Sequence, residues 1–158
     1  MRLEKRISAS ILALLVLGLA TYIRVAPHQL DHAHDAPHPR GPGDYAFPTG
    51  HEAVRAISTS EREAFERAHA LVIATPRTTV LRGAGEDLGV THVTRSQIWG
   101  MPDYTSVYVL SGDPSLLVFR ATSRFGPTDF GVNRRRIEAW VAELERPPGA
   151  VVSALAPE

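Results

Sequence analysis

Apolar residues in this chain first form one unbroken run and then recur at two different periods, and the changes between them divide the sequence. From Ile7 to Ile23 the run ISASILALLVLGLATYI carries no charge and no proline. As a helix it spans about 26 Å, close to the hydrocarbon thickness of a bilayer. Residues 26–50, APHQLDHAHDAPHPRGPGDYAFPTG, show no apolar period and are dominated by Pro, Gly, His and Asp, which predicts an extended spacer. Helical spacing begins after Ser58-Thr59-Ser60-Glu61-Arg62-Glu63, where Ser58 with Glu61 and Ser60 with Glu63 form two overlapping capping boxes. Ala64, Phe65, Ala68, Leu71 and Val72 then predict a helix over Glu61–Ile73 that stops before Pro76.

Period two follows. Thr79-Val80-Leu81 opens a strand that ends at the Gly83–Asp87 turn, and Val90–Trp99, Tyr104–Leu110 and Leu116–Arg124 read as three more. Val132–Leu144 returns to helical spacing, with Ile137, Val141 and Leu144 on one face, Trp140 alongside, and Pro147-Pro148 as the stop. The predicted fold is α+β: an N-terminal transmembrane helix, a linker, then helix, four-stranded antiparallel sheet and helix, with both helices on one sheet face. The corresponding divisions are 1–25 as anchor or signal, 26–50 as linker, 51–146 as globular domain and 147–158 as tail.

Arg2, Lys5 and Arg6 precede the apolar run and Arg24 closes it. This charge bias keeps the N-terminus in the cytoplasm and sends the rest of the chain out, as a single-pass membrane protein. A cleaved signal peptide, releasing the domain to the periplasm, is the alternative. Its small-x-small step, Gly18-Leu19-Ala20, falls inside the apolar run rather than after it. Both readings place the domain in the cell envelope, outside the cytoplasm.

Lys plus Arg number 17 and Asp plus Glu number 17, so the charges cancel and a globally basic nucleic-acid binder is not expected. The absence of cysteine excludes disulfides, thiolate nucleophiles and Cys-ligated metal. In the spacer, His28, His32, His34 and His38 interleave with Asp31 and Asp35. Imidazole and carboxylate suit zinc or copper, but Pro27, Pro37 and Pro39 prevent a long helix from aligning them, and a solvated linker is the simpler reading. No cofactor is implied.

The segment Ser123–Ile137, SRFGPTDFGVNRRRI, is the most specific stretch. An Arg-bearing strand end leads into Gly-x-x-Asp-x-Gly-x-Asn and then an Arg-rich helix. It resembles the C-terminal signature of the bacterial domain-of-unknown-function family 1499. Thr75-Pro76-Arg77-Thr78 and Thr94–Tyr104, TRSQIWGMPDY, resemble earlier blocks of that family, so the resemblance covers about Ser58–Leu144. Many members carry a Cys-containing block that this chain lacks. The resemblance implies a domain, often membrane-associated, and no activity.

Chemically, Asp129 is placed to cap the closing helix, and Gly126 and Gly131 permit the sharp strand-to-helix change. Arg134, Arg135 and Arg136 then fall in first turns, where cations oppose the helix dipole. One explanation is an anion site, with Arg95, Arg124, Asp129, Asn133 and Arg135 as candidate residues around a phosphate or carboxylate. Another is internal, with Asp129 and Asp103 paired to Arg95, Arg120 or Arg124. A third is attraction of the arginines to anionic lipid headgroups. His69 reads as a helix-surface or internally satisfied histidine. His92, Thr94 and Ser96 share one strand face, with Arg95 and Gln97 on the other. No G-x-S-x-G, H-E-x-x-H or phosphate loop is present. A non-enzymatic binding or envelope-accessory domain is therefore expected, and the alternative is a hydrolase or transferase acting on an anionic envelope substrate.

Overall fold

The computed structural model describes residues 2–28, 40–83 and 88–146. An apolar helix, α1 (Arg2–Val25), comes first. Its Ile7–Val25 stretch is long and apolar enough to cross a membrane or to serve as a signal sequence. Nearly all of that surface is exposed, until Ile23 and Ala26 become buried where the helix meets the domain.

The domain is α+β, with one six-stranded antiparallel sheet. Its strands are β1 (Gly43–Phe47), β2 (Gly50–Ala56), β3 (Thr78–Arg82), β4 (Gly89–Arg95), β5 (Pro102–Leu110) and β6 (Leu116–Ser123). Their order across the sheet is β1-β2-β6-β5-β4-β3. The expectation of four strands is therefore corrected to six. The two extra strands form a hairpin that joins β6, and β1 lies within the stretch that reads as a spacer. They escape the period-two test because β2 is buried on both faces and carries His51 and Glu52, so polarity does not alternate along it. The β4 strand is also shorter than Val90–Trp99. It ends at Arg95, because Ser96 turns the chain: its Oγ accepts from the Met101 amide at 2.9 Å and its carbonyl accepts from the Gly100 amide at 3.1 Å.

Two helices, α2 (Glu61–Ile73) and α3 (Val132–Leu144), lie on one face of the sheet. The Ser60 hydroxyl caps α2 by accepting from the Glu63 amide at 3.2 Å. Glu61 ties the same end to the β5–β6 turn, accepting from Ser115 Oγ at 2.6 Å and Ser111 Oγ at 2.8 Å. These bonds hold its carboxyl below the usual carboxylate range. The core between helices and sheet gathers Phe65, Ala68 and Val72 from α2, Ile137, Trp140 and Val141 from α3, and Ala53, Val90, Val107, Leu117, Phe119 and Ala121 from the strands. Full burial of each large apolar side chain contributes ~1.5–3 kcal/mol. The register gives the opposite face Glu52, Val54, Tyr104, Ser106, Tyr108 and Val118, all buried. There Arg120 donates to Glu52 Oε2 at 2.7 Å and lies over the Phe47 ring.

Candidate functional site

The residues singled out by the sequence gather where β4 ends, β5 begins and β6 ends. Period two sends Arg95 to the sheet face opposite the helices, and Arg124, one residue past β6, joins it there. Arg124 donates to the carbonyls of Ala26 at 3.0 Å and Pro27 at 2.8 Å. These groups follow the last turn of α1, where unpaired carbonyls and the negative dipole end attract a cation. Arg95 donates to the Gly100 carbonyl at 3.0 Å and to His28 Nε2 at 3.3 Å. A guanidinium cannot accept a hydrogen bond, so His28 Nε2 is the acceptor and Nδ1 carries the proton. That N–H donates to the Tyr104 hydroxyl at 2.9 Å. Burial, then the neighbouring Arg95 and Arg124 charges, push His28 below the ordinary imidazole range. Burial raises the Tyr104 phenol, against the pull of Arg124 and Arg95. From the last turn of α1 itself, Arg24 donates to the Ile98 carbonyl at 3.1 Å. Together Arg24, Arg95 and Arg124 clamp the end of the apolar helix to the sheet.

The helix-facing side of the same sheet end holds a second network. Asp103 accepts from Ser123 Oγ at 2.6 Å and from Arg136 at 3.3 Å. Arg136 also donates to Asn133 Oδ1 at 3.0 Å, and Asn133 Nδ2 donates to Ser123 Oγ at 3.3 Å. Asp129 accepts from the amides of Gly131 at 2.9 Å and Asn133 at 2.8 Å, so it caps α3 from two positions before the glycine that precedes the helix. Gly131 takes a left-handed φ of 74°, which a glycine adopts without strain. Of the three successive arginines, Arg134 pairs with Glu138 at 2.7 Å, Arg135 donates to the Phe130 carbonyl at 3.3 Å, and Arg136 turns inward to Asp103. The triplet therefore diverges rather than converging on one point.

Of the five anion candidates, the structure brings Arg95 and Arg124 together around His28, and Asp129 and Asn133 together at the start of α3. Arg135 stands apart on the exposed side of that helix. Between these groups lies a cleft of about 510 Å³, lined by Arg77, Arg95, Asp103, Asp129, Phe130 and Arg136 among others. Three arginines and two aspartates are thus among its lining residues. Arg77 and the inward role of Arg136 were not legible from spacing: Arg77 takes a left-handed φ of 61° and donates to the Arg95 carbonyl at 3.0 Å. The tract of His32, His34 and His38 lies outside the described residues, as do residues 84–87 and the tail after Arg146. Among the described residues no group of three or more His, Asp or Glu side chains could hold a metal ion.

Asp129 makes a direct test of this architecture. Asp129→Ala removes two hydrogen bonds and leaves the amide of fully buried Asn133 unpaired, so a loss of about 2 kcal/mol is expected. Arg135→Ala removes one exposed contact to a carbonyl and should change stability by less than ~0.5 kcal/mol. Paired denaturant titrations check the contrast; equal losses would contradict it.

A second pairing joins α2 to β4 on the helix-facing side of the sheet. His69 Nδ1 and His92 Nε2 are 2.9 Å apart. His92 Nδ1 faces the Thr105 carbonyl at 3.3 Å and must donate to it, so Nε2 accepts from His69. The signal was present in two periods: position 69 follows Phe65 by one helical turn, and position 92 alternates with Val90 toward the helices. Burial first, and then the His69 partner, lower His92 from 6.5 to about 4. Arg62 and Glu66 of α2 share the adjoining cavity. An unfolded chain binds a proton at His92 more readily than the folded one, so this histidine stabilises the fold fully above pH 6.5. The contribution, about 3 kcal/mol at most, is lost as pH falls through 4. His92→Asn should flatten stability between pH 6.5 and 4, and an unchanged slope in denaturant titrations would contradict the assignment.

The fold and site define a two-layer α+β domain whose sheet is fastened at one end to a preceding apolar helix. The chain belongs to the family described as "Protein of unknown function (DUF1499)", which it matches over residues 26–144, most of its length. The match begins at Ala26, whose carbonyl Arg124 holds, and ends with the last residue of α3. Comparison with curated proteins gives no match.

Proposed function

We propose that the protein is a membrane-anchored, non-enzymatic binding domain held outside the cytoplasm, with an anion-accepting cleft at the end that faces the bilayer. The observation that carries this reading is the contrast along α1. Its apolar surface is almost wholly exposed from Ile7 onward, yet its end is held to the domain, by Arg24 of its own last turn on the Ile98 carbonyl and by Arg124 on the Ala26 and Pro27 carbonyls that follow. A helix that left the protein for lipid and had to hold the domain in one orientation would have this pattern. The basic flank of Arg2, Lys5 and Arg6 supports export of the domain. Arg77, Arg95 and Arg136 supply the positive side of the cleft, and planar guanidinium groups suit phosphate or carboxylate.

Thermal unfolding of the full chain in zwitterionic micelles tests the cleft. The melting temperature should rise with added inorganic phosphate or glycerol phosphate, and the rise should shrink in Arg77→Ala, whose side chain is exposed. A melting temperature indifferent to both anions would overturn the anion site.

A further inference from the structure

Four large apolar side chains stand in solvent on two neighbouring segments beside the end of α1. Ile98 is 77% exposed, Trp99 45% and Met101 39% on the β4–β5 turn, and Phe130 is 83% exposed on the loop before α3. Single exposed apolar residues are ordinary; four on adjoining segments are not. Met101 and Phe130 line the same cleft, so the two segments share one rim. Phe130 also holds a left-handed φ of 52°, which disfavours a residue with a side chain, and Arg135 bonds its carbonyl in that conformation.

Both segments touch the last turn of the apolar helix. Arg24 donates to the carbonyl of Ile98 itself, and a Cβ on Gly100 would come within 3.1 Å of Arg24 Nε. Tyr22 meets Phe125, five residues before Phe130, with ring centroids 6.4 Å apart. A helix rises ~1.5 Å per residue, so contacts from Tyr22 and Arg24 place both segments within one turn of the end of the apolar stretch. Arg24, Arg77 and Arg95 surround a shallow depression at the base of the turn and give it positive charge.

We propose that the Ile98–Met101 turn and Phe130 insert into the headgroup region of the bilayer beside the exit of α1, so that the domain rests on lipid as well as hanging from it. This inference rests on the reading of α1 as a membrane span. The partner is a lipid surface: tryptophan favours the interface, isoleucine, methionine and phenylalanine favour the acyl boundary just below it, and the arginines match anionic headgroups.

The chain has two tryptophans, which makes the test direct. Trp140 is 6% exposed and donates to Thr75 Oγ1 at 3.1 Å, inside the core. The full chain is reconstituted into vesicles of phosphatidylcholine and phosphatidylglycerol with bromine on the upper acyl chain. In Trp140→Phe, where Trp99 alone emits, bromolipid should quench emission at least twofold while aqueous iodide does little. Should that core variant fold poorly, subtracting the emission of Trp99→Phe from that of the unaltered chain isolates the same signal. Quenching by iodide and not by bromolipid, in a chain that resists carbonate extraction, overturns the insertion while sparing the anchor. Protection from both quenchers also overturns it, since a protein partner or a second copy would then cover the turn. Release of the chain by carbonate would instead defeat the anchor itself, and the insertion with it.

Discussion

Phe119→Ala is expected to cost ~3–5 kcal/mol, a large share of the ~5–15 kcal/mol that stabilises a domain of this kind. Phe119 has no exposed surface. It sits near the middle of β6, level with Ala53 of β2 and Val107 of β5, and stacks on Trp140 of α3 with ring centroids 6.1 Å apart. Removing the ring opens a cavity that four elements border, and strands held by ladders on both sides cannot close over it. The melting temperature of the full chain in micelles should fall by more than ~10 °C. Val80→Ala, at a position 47% exposed on the edge strand β3, should change it little in the same micelles. A small effect at Phe119 would mean that the helices do not cover that face of the sheet.

Gly50→Ala is expected to be comparably severe, for a different reason. A Cβ at position 50 would lie 1.9 Å from the Ala121 carbonyl oxygen and 2.8 Å from a ring carbon of Phe47. The first neighbour is backbone in the adjacent strand and cannot swing aside. Gly50 opens β2 opposite Phe47 on one side and Thr122 on the other, so relief requires β1 and β6 to part at that end. The cost should reach or exceed ~3 kcal/mol, the upper end of ordinary overpacking. Hydrogen exchange should show the β1 and β2 amides losing protection before those of β4 and β5. Gly112→Ala is the control: its Cβ would meet only the Pro114 carbonyl oxygen, at 3.6 Å, an ordinary contact.

Elements whose burial follows one period were readable from the sequence. The bounds of α2 and α3 coincide with those predicted, because a Ser60 cap, an Asp129 cap and one-sided apolar stripes define them locally. The hairpin of β1 and β2 was not readable. Gly43–Phe47 is a short edge strand among prolines and glycines, and β2 buries His51 and Glu52 by tertiary contacts that no local pattern encodes. The candidate site divides in the same way. Asp129 acts on its own neighbours, so its capping role could be read from Gly-x-x-Asp-x-Gly-x-Asn. Arg95 and Arg124 were recognisable as arginines in need of partners, but those partners, His28 and the Ala26 and Pro27 carbonyls, lie 67 to 98 positions away. His28 reads as one histidine of a spacer until Arg95 and Tyr104 are seen on either side of its ring.

The proposed span of α1 and the proposed position of the domain outside the cytoplasm are open to one direct measurement. The chain has no cysteine, so a single Glu63→Cys, on the exposed side of α2, supplies one unambiguous label site. The full chain is expressed in a bacterial host, and intact spheroplasts are treated with a membrane-impermeant maleimide before carbonate washing. A spanning α1 with an exported domain predicts labelling without lysis and recovery of the labelled chain, at full length, in the washed membranes. Labelling only after lysis, or a labelled chain in the soluble fraction, would contradict it.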